Sequence, residues 1–99
     1  MITETGINII ANSILNLVDH GEITIDDKPQ QLKLYRTTID KNQVKIFLML
    51  DDSVKGKITE TKLVSKANEV LMNKADIIEK DTLKGLLIIF SLKISEVEG

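Results

Sequence analysis

The chain has 99 residues, 42% of them hydrophobic and 28% charged, with a formal net charge of −2 and no cysteine. That length suits one domain with its own core, and the lack of cysteine excludes disulfides and thiolate metal sites. Basic residues are interspersed with acidic ones (Lys41, Lys45, Lys55 and Lys57 near Asp40, Asp51 and Asp52), and the only aromatics are Tyr35, Phe47 and Phe90, so nucleic-acid binding is not expected.

The spacing predicts a helix over about 4–19. Ile7, Ile10, Ile14, Leu17 and Val18 recur at helical intervals, and Ala11 and Leu15 widen the stripe. Thr3 or Thr5 can supply the N-cap oxygen, and Glu4 suits the positive end of the helix dipole. Gly21, after Asp19 and His20, reads as the residue that closes the helix in the left-handed conformation. Asn8, Asn12 and Asn16 share the opposite face and are poor helix formers, so the helix is expected to depend on packing against a sheet.

From Glu22 the period changes to two. Short alternating strands are expected over about 22–25 and 31–38, separated by a turn at Asp26-Asp27-Lys28-Pro29. A hairpin-type turn at Asp40-Lys41-Asn42 leads into a strand over 43–50, with Val44, Ile46, Leu48 and Leu50 on one face and Phe47 and Met49 on the other. A strand with apolar residues on both faces is expected to be central or covered twice. After the polar loop Asp51–Gly56, strands are expected over about 57–64 and 69–75, with a turn at Lys66-Ala67-Asn68. A rival reading makes 63–78 a helix through Ala67, Val70, Leu71 and Lys74. Glu79-Lys80-Asp81 punctuates, and about 83–95 forms the last strand, with Leu86, Ile88, Phe90, Leu92 and Ile94 alternating.

These runs leave no room for βαβ crossovers. The fold class is α+β: one N-terminal helix packed on an antiparallel sheet or small β-sandwich of five to six strands, forming a single domain over 1–99. The longest apolar run, Leu86–Phe90, is far short of the ~20 residues that span a bilayer. The N-terminus has no basic segment followed by an apolar one. A soluble chain without signal peptide or membrane insertion is expected.

No pattern here calls for catalysis. His20 beside Asp19 could form an oriented general base, but sequence neighbours rarely adopt that geometry, and a histidine at a helix C-terminus is the ordinary case. Asp26-Asp27 and Asp51-Asp52 lack the alternating ligand spacing of a calcium loop and read as turn formers. Phosphate-binding, dinucleotide-binding and nucleophile-elbow motifs are missing. Ser13, Ser53, Ser65, Ser91 and Ser95 have no triad partner beyond His20. No catalytic, cofactor or metal residue is assigned, and the chain is read as not an enzyme.

The helix stripe could serve a partner helix, but packing on the protein's own sheet is the preferred reading. Phe47, Met49, Leu87 and Ile89, on the minor faces of two strands, are the candidate protein interface. Either a two-layer sandwich covers them itself or a neighbouring subunit does.

Three segments together resemble the N-terminal domains of phage tail-fibre and baseplate proteins. Ile2-Thr3-Glu4-Thr5-Gly6-Ile7-Asn8 is similar to that family's "I-T-x-x-G-x-x" helix start. Val44–Leu50 followed by Lys57-Ile58-Thr59-Glu60-Thr61-Lys62-Leu63 is similar to its strand, acidic loop and "I-T-E-x-G-L" strand. Glu69-Val70-Leu71-Met72, the connection at Glu79-Lys80-Asp81 and Leu86–Ile94 resemble its last two strands. Lys62 stands where the family has Gly, Phe90 where Trp is frequent, and Glu22–Gln31 lacks its "A-L-G" stretch. The resemblance implies a structural assembly subunit or adaptor of a phage tail baseplate or tail-like particle, assembled in the host cytoplasm. Its implied partners are other tail, baseplate or fibre proteins in a homo- or hetero-oligomer. Because the sequence ends at Gly99, a stand-alone adaptor is expected. The alternative is a small regulatory module that inhibits or caps one partner.

Overall fold

The computed structural model describes residues 1–97. Thr3 caps α1 (Glu4–Leu17), its hydroxyl accepting the Gly6 N–H at 2.9 Å, which satisfies one of the donors a helix start leaves free. The helix ends two residues earlier than expected, and without a glycine. Val18 turns extended (φ −83°, ψ 126°) and is already the first residue of β1 (Val18–Ile25), paired with Ser65. A β-branched residue with a waiting strand partner ends the helix here.

Among the described residues eight strands form two antiparallel sheets, an α+β architecture with two strands more than the sequence suggests. β1, β2 (Lys28–Leu32), β5 (Gly56–Ser65) and β6 (Val70–Lys74) form one sheet in the order β2-β1-β5-β6, and β7 (Ile78–Lys80) also pairs with β5. β3 (Leu34–Asp40), β4 (Gln43–Leu50) and β8 (Leu86–Lys93) form the other, in the order β3-β4-β8.

The β1–β2 turn is narrower than expected. Asp26 and Asp27 alone form it, both at positive φ (49° and 65°), as a type I′ turn requires. Pro29 lies inside β2 on the outer edge, where its missing N–H leaves no ladder bond unmade. The expected strand over 31–38 proves to be two, separated by Lys33, because the chain passes there from one sheet to the other. Residues 63–78 form strands rather than a helix. The Ser65 hydroxyl accepts the N–H groups of Ala67 and Glu69, and Asn68 adopts φ 63°, closing a hairpin between β5 and β6. The last strand is shorter than expected, and β7, read as punctuation, pairs with the start of β5.

The core lies between the sheets. Ile23, Ile25, Ile58 and Leu63 face Ile46, Leu48, Leu50, Ile88 and Phe90, so nearly all of it is aliphatic. The helix crosses one end of the sandwich, from the start of β1 to the β3–β4 turn, where Glu4 and Ile7 approach Lys41 and Asn42. Ala11 is buried and Leu15 packs on the core, but Ile9, Ile10 and Leu17 stay exposed. The helix stripe is therefore only half used by the protein's own sheets.

Candidate functional site

Alternation along β4 and β8 creates a surface as directly as it creates the core. β4 sends Val44, Ile46, Leu48 and Leu50 inward, leaving Phe47 and Met49 on the outer face; β8 sends Ile88 and Phe90 inward and leaves Leu87 and Ile89. The register places Phe47 opposite Ile89 and Met49 opposite Leu87. Directly opposed residues on one face have Cβ atoms ~4.5–5.5 Å apart, so the four expected interface residues form one continuous apolar patch. Met49, Leu87 and Ile89 are 44%, 47% and 37% exposed. Phe47 is half-buried, with the Arg36 guanidinium of β3 5.8 Å from its ring centroid. Lys45 follows in the same outward row, so cationic groups border one end of the patch.

The patch runs up to an open strand edge. β8 pairs with β4 on one side only, and its other edge holds unpaired backbone groups that a further strand could complete. One of these, the Ile89 carbonyl, accepts a hydrogen bond from the Lys74 ammonium, which also lies 4.9 Å from the Phe90 ring centroid. Lys74 belongs to β6, so this lysine ties the open edges of the two sheets together.

His20 is not at a helix terminus. It lies in β1, paired with Val64, and a register shift between Val18 and His20 interrupts the alternation that would send neighbours to opposite faces. Asp19 and His20 therefore do meet, with His20 Nδ1 2.8 Å from Asp19 Oδ2, contrary to the expectation for sequence neighbours. Asp19 is the only side-chain partner of His20 among the described residues, and no hydroxyl joins the pair. Gly21 does not close the helix either; it lies in β1 against Leu48.

The two acidic pairs stay apart in function. Asp26 accepts the Lys57 N–H at 3.0 Å and extends the β1–β5 pairing by a residue. Asp51 accepts from the Ser53 hydroxyl and, at 2.9 Å, the Ser53 N–H. The Ser53 hydroxyl first, then its N–H, holds the Asp51 carboxyl below its ordinary range, with Lys80 adding charge. Among the described residues no group of three His, Asp or Glu could hold a metal ion. No described helix is long and apolar enough to cross a membrane.

Sequence reasoning missed Lys80. Its side chain is buried, and its ammonium donates to the carbonyls of Val54 (2.7 Å), Asp81 (2.9 Å) and Lys84 (3.1 Å). The three donors of an ammonium are all used, and they fasten the loop after β4 to the loop after β7. The one signal in the sequence is the period-two step from Ile78 to Lys80, which places both on the same face.

Comparison of the chain with protein-family models, with curated proteins and with solved structures finds no match.

Proposed function

We propose that this chain is a non-catalytic assembly subunit or adaptor that binds other proteins through the outer face of the β3-β4-β8 sheet. One observation carries this reading: the β4–β8 ladder is apolar on both faces, and only the inner face is covered by the protein itself. A strand pair that builds a core on one side and presents Phe47, Met49, Leu87 and Ile89 on the other has the surface of a part held among neighbours. The open edge of β8 adds backbone groups that a partner strand could join.

The particle proposed is a phage tail baseplate or a related tail-like assembly, with tail, baseplate or fibre proteins as partners. The resemblance of Ile2–Asn8, Lys57–Leu63 and Leu86–Ile94 to the N-terminal domains of such proteins supports this choice. The test is Met49→Lys, made in the full chain and mixed with the tail proteins encoded beside it. The variant is expected to fold as the wild type does and to lose binding. Retained binding would overturn the proposed surface. Neighbouring genes that encode no sheath, tube or fibre protein would overturn the proposed particle.

A further inference from the structure

We propose that the open flank of the sandwich receives an extended, acidic strand from a partner protein, added to the free edge of β8 opposite β6. Four strands, β2-β1-β5-β6, stand over three, β3-β4-β8. β2 continues into β3 at Lys33, and Gly21 of β1 lies against Leu48 of β4, so the smaller sheet runs out at the opposite flank, beneath β6. Burial records the shortfall. Thr61, Leu63 and Val64 of β5 are buried, whereas their cross-strand neighbours on β6 are not: Lys74 and Met72 are half-buried and Val70 is 54% exposed. Between β6 and β8 an apolar groove of about 230 Å³ lies open, lined by Leu71 and Met72 on one side and Leu92 on the other, with Ile46 and Leu63 beneath.

The edge beside this groove is ready for a strand. The Ile89 carbonyl faces away from β4, toward Lys74, and alternate residues of a paired strand aim their backbone groups the same way. Leu87, Ile89, Ser91 and Lys93 therefore present N–H and C=O groups to the open flank. The described end of the chain does not fill it: Asn42 binds Ile94 through both its N–H and its C=O, and Glu96 meets the Met1 ammonium at 3.2 Å.

Charge selects the strand. Among the described residues no carboxylate pairs with the Lys74 ammonium; it has the Ile89 carbonyl and the Phe90 ring. A strand that takes the Ile89 carbonyl must give this ammonium another acceptor, and a carboxylate on the strand's inward face does so with a charge-assisted bond. Lys93, at the end of the same edge, adds a second cation. The inward residue beside Leu92 must be apolar to fill the groove. The protein's own longer edge strands do not fit: β2, β6 and β8 carry lysine and no carboxylate, and β3 has only Asp40, at its last residue. The donor is therefore another protein, with a carboxylate set among apolar residues. The inference rests on the reading of the chain as a protein-binding subunit and names the chemistry of its partner.

The probe is a synthetic eight-residue peptide, as long as β8, of alternating Val and Thr with one central Val replaced by Glu. Added to the full chain, it should slow amide exchange at Leu87, Ile89 and Ser91 at least ~tenfold. It should also bind at least ~tenfold more tightly than the same peptide with Lys for Glu, and Lys74→Glu should reverse that preference. Ser91→Pro removes an edge N–H without touching the β4 ladder and should abolish binding. Should that variant fail to fold, a peptide N-methylated throughout decides in its place, and it should not bind. Unslowed exchange, or equal binding of the two peptides, would overturn the proposal. Two copies by sedimentation equilibrium, with the edge amides already protected, would overturn the choice of partner. Met49→Lys should leave peptide binding intact. Edge protection together with retained tail-protein binding by Met49→Lys would keep this inference and sink the outer face; the opposite pair of results would keep the outer face and sink this inference.

Discussion

Gly21 of β1 lies so close to Leu48 of β4 that a Cβ on Gly21 would stand 2.6 Å from both Leu48 methyl carbons. Glycine within a strand costs roughly 0.5–1 kcal/mol in chain entropy, so its presence here reflects the approach of the two sheets. Gly21→Ala is expected to lower stability by about 1–3 kcal/mol through overpacking. Adding Leu48→Val should recover part of that loss, because residues in contact are not additive. Denaturant unfolding of the two single variants and the double variant checks this, and strict additivity would refute it.

Removing the Lys80 ammonium should be costly. Lys80→Met keeps the stem but leaves the carbonyls of Val54, Asp81 and Lys84 without their common donor. A loss of roughly 2–4 kcal/mol is expected from abandoned hydrogen bonds of this kind. The urea midpoint should fall with little change in slope, since the surface exposed on unfolding stays the same.

The Asp51 carboxyl titrates below its ordinary range because the Ser53 hydroxyl, and next the Ser53 N–H, donate to its charged form. A pKa lowered by folding stabilises the protein above the unfolded-state pKa, and that contribution fades as pH falls through the folded-state value. Ser53→Ala removes the larger cause and keeps the N–H. Carboxyl titration by NMR should therefore show the Asp51 midpoint moving part of the way up. An unmoved midpoint would contradict the assignment.

Lys74 guards an otherwise open edge. Lysine on an edge is a common defence against strand addition, and here it occupies the Ile89 carbonyl. Lys74→Ala is expected to promote association through that edge, visible as light scattering that rises with concentration. The same variant with Ile89→Lys added should scatter less, because the new charge replaces the lost one beside that edge.

What the sequence disclosed was whatever depends on near neighbours. The alternation of β4 follows from Val44, Ile46, Leu48 and Leu50 against Phe47 and Met49, and the strand spans the expected Gln43–Leu50. The faces of the four patch residues were legible for the same reason, since period two sets them, but the β4–β8 pairing that joins them skips three intervening strands and nothing local announces it. Gly21 was misread because its partner, Leu48, is distant in sequence and nothing local announces it. His20 was misplaced because the helix stops where β1 finds Ser65, which again lies far along the chain. The break at Lys33 could not be seen, because a strand that changes sheets keeps its local pattern on both sides of the corner. Lys80 was hidden by its charge: its partners are backbone carbonyls, which every residue carries.

The passage through Lys33 also makes the molecule unequal from side to side. On that flank β2 runs straight into β3, so covalent backbone joins the two sheets. On the opposite flank the loop from β7 to β8, fastened by Lys80, joins the sheets at one end, but β6 and β8 share no ladder, and there only the Lys74 side chain reaches across. The sandwich is thus built like a book, with its spine at Lys33 and its fore-edge at Lys74. Any breathing should part the pages at the fore-edge, where Phe90, buried beneath the Lys74 ammonium, would be the first core residue to meet solvent.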